Sequence, residues 1–131
     1  MNSCTIAIGS NTPDREAQVK SAIDYLSSVL DRAAVSSVYD TPAISGDGTT
    51  YTNAVIHGYT SLRSDQLVTL LKDRESMQGR DRTAPTPHSE VAIDLDLVIY
   101  ASRILREADF SRHYFNIGYR ELLAAGTYQD E

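Results

Sequence analysis

Tryptophan is absent from this 131-residue chain, and cysteine, methionine and phenylalanine nearly are, at one, two and two copies. The single Cys4 excludes an intramolecular disulfide and any cysteine-based zinc cluster, and it suits a reducing compartment. Lysine is scarce as well. Ten of the 12 basic residues are arginine, and 18 acidic residues bring the net charge to −6. A chain of that sign is poorly suited to broad nucleic-acid binding, so no nucleic-acid partner is expected. Arginine, however, is the residue fitted to bidentate phosphate contacts. No apolar run approaches the roughly 20 residues of a membrane span, and no charged-then-apolar segment opens the chain. The expectation is one cytoplasmic domain, residues 1–131, with no membrane partner and a core that needs no staples.

What is present is well patterned. Thr5 to Ile8 is a short apolar strand that stops at Gly9-Ser10-Asn11. Thr12 then reads as an N-cap with Pro13 at the first helical position, followed by an apolar stripe from Val19 to Ala33. A second strand is expected at about Val35 to Tyr39, then a glycine- and proline-rich loop from Thr41 to Gly48. Thr52 to Tyr59 reads as a third strand. Ser64 caps a second helix that ends near Gly79, and an exposed loop follows from Arg80 to Glu90. Val91 to Tyr100 is a fourth strand, and a short helical stretch follows at Arg120 to Ala125. The order β-α-β-β-α-β predicts an α+β fold, a ferredoxin-like core with a mainly antiparallel sheet and its helices on one face.

The fourth strand is the most informative segment. In Val91-Ala92-Ile93-Asp94-Leu95-Asp96-Leu97-Val98-Ile99 the odd positions are large and apolar and are expected to face the helices. Period 2 then places Asp94 and Asp96 together on the other face, about 6–7 Å apart along the backbone. Two such carboxylates repel, and one or two hard divalent cations holding substrate phosphates would compensate; a solvated polar sheet face is the alternative. Arg80 and Arg82 read either as a phosphate clamp or as C-terminal helix caps. Gly9-Ser10-Asn11 reads as a phosphate nest or an ordinary turn. Thr41, Tyr51 and Asn53 flank the glycine loop as site or strand-edge residues. His57, His88 and His113 have no metal-ligand spacing, and Cys4 reads as a core thiol.

Together these segments resemble the hydroxymethyldihydropterin pyrophosphokinase family from about Ile6 to Leu122. The resemblance rests on Ile8-Gly9-Ser10-Asn11, on Val35-Ser36-Ser37-Val38-Tyr39-Asp40-Thr41-Pro42, and on Tyr51-Thr52-Asn53-Ala54-Val55. It continues through Thr60-Ser61-Leu62, Glu75 with Gly79-Arg80-Asp81-Arg82, and Ile93-Asp94-Leu95-Asp96-Leu97, the strongest match. The resemblance implies Mg-dependent transfer of pyrophosphate from ATP to 6-hydroxymethyl-7,8-dihydropterin, with release of AMP. It implies that Asp94 and Asp96 hold two magnesium ions bridging the ATP phosphates, and that Arg80 and Arg82 approach those phosphates. Tyr51 and Tyr114 match the two rings between which the pterin lies. Asn53, Thr41 and the backbone near Ile44 match its polar wall, Glu75 counts among the substrate-binding positions, and Arg112 matches a phosphate contact.

The chain also departs from the family. It has no tryptophan, Ser89-Glu90-Val91-Ala92 replaces a Gly-Pro-Arg-Thr segment and its arginine, and the Pro-His element after the aspartate strand is missing from a shorter connection. The alternative implied is a catalytically impaired pterin-binding relative with a regulatory or carrier role. An RNA-recognition module is disfavoured, because the strands lack its aromatic and basic signature.

Overall fold

The strand expected at Thr5 to Ile8 extends over Asn2–Ser10 (β1) because it has a partner on each side. The computed structural model describes residues 1–79 and 90–129; Arg80, Arg82 and most of the expected loop between the second helix and the fourth strand lie outside the described residues. The first helix, α1, runs from Arg15 to Val29 and does not start at Thr12 and Pro13 as expected. The Thr12 hydroxyl donates to Asp14 Oδ1 at 2.6 Å instead of accepting from the helix backbone, so residues 12–14 form a bend and turn and the helix begins two residues later, with Asp14 at its N-cap. The second helix, α2, covers Ser64–Met77, so Arg63 and not Ser64 is its N-cap residue, and the Arg63 N–H donates to the Gln66 side chain at 2.9 Å. Gly79, at φ +95°, closes that end, a backbone angle that favours glycine.

The strand expected at Val35 to Tyr39 is two strands, Asp31–Val35 (β2) and Tyr39–Pro42 (β3), laid end to end along Thr50–Thr60 (β4). Ser36 causes the break. Its N–H donates to the Val55 carbonyl and its hydroxyl accepts the Val55 N–H, both at 2.9 Å, so a side chain stands in for a ladder bond. Asp94–Tyr100 (β5) pairs with β1 on the far side from β4, and Arg103–Ile104 (β6) pairs with β5. The order β2-β4-β1-β5-β6, with β3 also on β4, makes one antiparallel sheet of six strands. This is the ferredoxin-like α+β arrangement that the sequence predicts, and α1 and α2 share one face of it.

On that face Ile6, Ile8, Ile56, Leu95 and Leu97 pack against Val19, Leu26, Leu67 and Leu71 of the two helices. Ile93 joins them just before β5. Ile99 does not. The register against β1 skips a residue between Leu97 and Ile99, and this bulge turns both Val98 and Ile99 toward the opposite face. The C-terminal region is more helical than expected. A single turn, Glu107–Phe110 (α3), precedes a helix over His113–Ala124 (α4). Beyond the core arrangement, α4 lays Phe115 and Leu122 on Ala7, Val55 and Val98 of that opposite face. Its Gly118 permits the approach, since a Cβ there would lie 2.7 Å from Val55 Cγ2. No helix among the described residues is long and apolar enough to cross a membrane.

Candidate active site

The sheet face that α4 covers only in part carries a cavity of about 280 Å3 near the C-terminal end of β1. Its floor is set by pairing register. Gly9 on β1 lies opposite Asn53 of β4 on one side and Asp94 of β5 on the other; Ala7 lies likewise between Val55 and Asp96. Strands about 4.8 Å apart therefore separate the two flanking rows by roughly 10 Å, with only small side chains between. A Cβ at Gly9 would sit 3.3 Å from Asn53 Oδ1 and 3.7 Å from Tyr51 Cδ2. Glycine keeps this floor open.

One wall is polar and held from behind. The buried Asn53 amide donates to Thr41 Oγ1 at 2.7 Å and to the Tyr51 carbonyl at 3.3 Å. This fixes the Asn53 plane and leaves Oδ1 on the Gly9 side. Tyr51 and the loop carrying Ile44 complete the wall, and Ile44 is largely exposed. Tyr114, in the first turn of α4, borders the cavity from the other helical layer. Tyr39 secures that helix: its hydroxyl donates to the Tyr114 carbonyl at 2.5 Å and accepts the Gly118 N–H at 3.1 Å. Burial pushes the Tyr39 phenol up to about 12.

The opposite wall is acidic. Asp94 and Asp96 both border the cavity, and the Asp96 side chain is 15% exposed. Burial, then the charge of Asp94 and a hydrogen bond with it, pushes the Asp96 carboxyl up to about 8. Two hard oxygen donors that repel when both ionise are what a divalent cation relieves, so the pair fits one. Among the described residues no third acidic, imidazole or thiol side chain groups with them to hold a metal.

Two residues that the sequence reading passed over reach this wall. Arg106, in the turn after β6, lies with Nη2 3.7 Å from Asp96 Oδ1 and donates through Nε to Asp109. Asp109, buried in α3, also accepts the Tyr114 hydroxyl. Burial and then the Asp109 contact raise the Tyr114 phenol above its usual range. No period or motif marks Arg106 or Asp109; a two-residue strand and one helical turn bring them here.

Thus Thr41, Ile44, Tyr51, Asn53, Asp94, Asp96 and Tyr114 share one cavity. Glu75 does not border it. It is 1% exposed, with Oε2 accepting the Leu95 N–H at 2.7 Å on the helix side of β5. Arg112 is exposed at the N-cap of α4 and is not part of the cavity wall either.

A family model described as 7,8-dihydro-6-hydroxymethylpterin-pyrophosphokinase (HPPK) matches residues 5–123. The chain belongs to the HPPK family. The match includes every residue of the cavity. A protein of Aquifex aeolicus (strain VF5), named 2-amino-4-hydroxy-6-hydroxymethyldihydropteridine pyrophosphokinase, is 28% identical to this HPPK-family chain over 102 residues. Those residues make up 77% of the chain and 62% of the relative, so the chain spans less than two thirds of that protein.

Proposed function

We propose that the chain transfers pyrophosphate from ATP to 6-hydroxymethyl-7,8-dihydropterin and releases AMP. The observation that carries this reading is the row Asn53–Gly9–Asp94, which sets a polar wall for a flat heterocycle across an open floor from a carboxylate pair. Tyr51 and Tyr114 supply ring faces for a bicyclic pterin, and Asn53 Oδ1 with Thr41 orients its polar edge. A cavity of about 280 Å3 suits such a bicycle but not a nucleotide beside it, so the phosphates enter at the aspartate side.

The hydroxymethyl oxygen then attacks the β-phosphorus, the bond from that phosphorus to the α-phosphate oxygen breaks, AMP leaves with the electron pair, and the hydroxyl proton passes to solvent water. A magnesium ion held by Asp94 and Asp96, with a second expected alongside ATP, would neutralise charge on the phosphates under attack. The residues of the chain hold the two reactants in line, which is most of what phosphoryl transfer asks of a protein. Arg80 and Arg82 remain proposed phosphate contacts. The buried Cys4 thiol suits the reducing cytoplasm in which a reduced pterin survives.

AMP formation from ATP and magnesium, with and without the pterin, tests the reading. Pterin-dependent AMP that disappears in Asp94→Asn and Asp96→Asn supports it. Pterin binding without AMP, from folded protein, would replace it with the carrier or regulatory reading.

A further inference from the structure

Among the described residues, Arg106 brings a guanidinium to the acidic wall, 3.7 Å from Asp96. It is also half-exposed, and it divides its donors between Asp96 and the buried Asp109. A guanidinium placed this way has somewhere to go. If the aspartate pair takes up a divalent cation, attraction between Arg106 and the negative charge of the pair turns into repulsion between Arg106 and the cation. Asp109 keeps hold of Nε, so the side chain stays at the cavity while its Nη groups become available. Arginine forks match phosphate oxygens as well as carboxylate oxygens.

We propose that Arg106 serves the site in two states: as counter-ion to the aspartate pair while no cation is bound, and as a ligand for polyphosphate oxygens once the cation has displaced it. Asp109 is the positioning residue that keeps it in reach. This rests on the proposed reading of the cavity as a metal-nucleotide site. It also supplies an arginine from the connection after β5, in a chain whose Ser89-Glu90-Val91-Ala92 segment carries none.

The two states give Arg106 opposite effects on two binding equilibria, neither of which needs turnover. Mn2+ binding is followed by its electron paramagnetic resonance signal, alone and with α,β-methylene-ATP, for the wild-type chain and for Arg106→Gln. Removing a half-exposed ion pair is worth up to about 1 kcal/mol, so Mn2+ alone should bind up to roughly fivefold more tightly to the variant. The Mn2+–nucleotide complex should bind tenfold or more weakly, since a charged phosphate contact is lost. Arg106→Lys, which keeps the charge and loses the fork, should fall between on the nucleotide arm.

Mn2+ affinity that is unchanged or weaker in Arg106→Gln overturns the counter-ion state. Nucleotide affinity that is unchanged or tighter overturns the phosphate state. If the wild-type chain itself binds no Mn2+–nucleotide, the proposed function falls and this inference with it. A wild-type chain that binds while the variants match it rejects the inference alone. Melting temperatures of all three chains establish that the comparison is between folded proteins.

Discussion

The Glu75 carboxylate accepts the backbone N–H of Leu95, the residue between Asp94 and Asp96, at 2.7 Å. The contact comes from α2, on the face away from the cavity, and Glu75 is almost wholly buried. At this level β5 pairs among the described residues with β1 on one side only, and Glu75 takes the place of a partner on the other. Glu75→Ala would leave that N–H without its acceptor and should destabilise the fold by about 1–3 kcal/mol. Glu75→Gln retains an oxygen acceptor and should lose less. Urea denaturation of both variants measures the difference.

Gly9 is predicted to be required for room rather than for backbone freedom. A methyl group there would press on Asn53 Oδ1 and narrow the floor between the two walls. Gly9→Ala should fold, yet bind a fluorescent pterin roughly tenfold to a hundredfold more weakly, as small misplacements in such sites do. Equal affinity, read by fluorescence titration, would show that the ring does not lie over Gly9.

The aspartate pair should leave a pH signature on stability. A carboxyl raised by folding binds its proton more tightly in the folded chain than in the unfolded one. Its contribution to stability is therefore full below the ordinary carboxylate range, near pH 4, and is lost as pH climbs through about 8. In metal-free buffer Asp96→Asn should thus melt higher than the wild type at pH 8 and gain less at pH 4. Magnesium should raise the melting temperature of the wild type at pH 8 more than that of the variant.

Gly118 is predicted to be intolerant of any side chain. A Cβ there would meet Val55 Cγ2 at 2.7 Å, and Ser36 Oγ and Tyr39 Oη at 2.9 Å each, all three fixed by hydrogen bonds or packing. Gly118→Ala should cost about 1–3 kcal/mol despite alanine's better helix propensity. Urea denaturation with far-ultraviolet circular dichroism would detect both the loss and any detachment of α4.

How far this was readable from sequence depends on how local the cause is. The alternation of Ile93, Leu95 and Leu97 against Asp94 and Asp96 is local, and it places both acids on one face correctly. Ile99 follows the same alternation on paper, but pairing with β1 inserts the bulge, and no residue of β5 announces it. The break at Ser36 is of the same kind, since the hydroxyl that replaces a ladder bond finds its partner 19 residues away on Val55. The full length of α4 was hidden for another reason. Tyr114, Asn116, Gly118 and Tyr119 are poor helix formers, and the helix persists because Phe115 and Leu122 are buried against the sheet. Arg106 and Asp109 carry no pattern at all; only the folded turn shows that they meet Asp96 and Tyr114.

The bulge at Val98 divides β5 into two halves with separate obligations. Ahead of it, the alternating half is locked in register by Gly9 and Ala7, which aim the two acids. Behind it, Val98 and Ile99 form a bed for α4, and Ile99 also pairs with Ile104 of β6. A change of chain length after Tyr100 can therefore be absorbed downstream without rotating either aspartate. The strand behaves as a fixed mount with a compliant joint behind it, and that is the arrangement under which a lineage can shorten or rebuild the segment beyond the joint while the acids stay aimed.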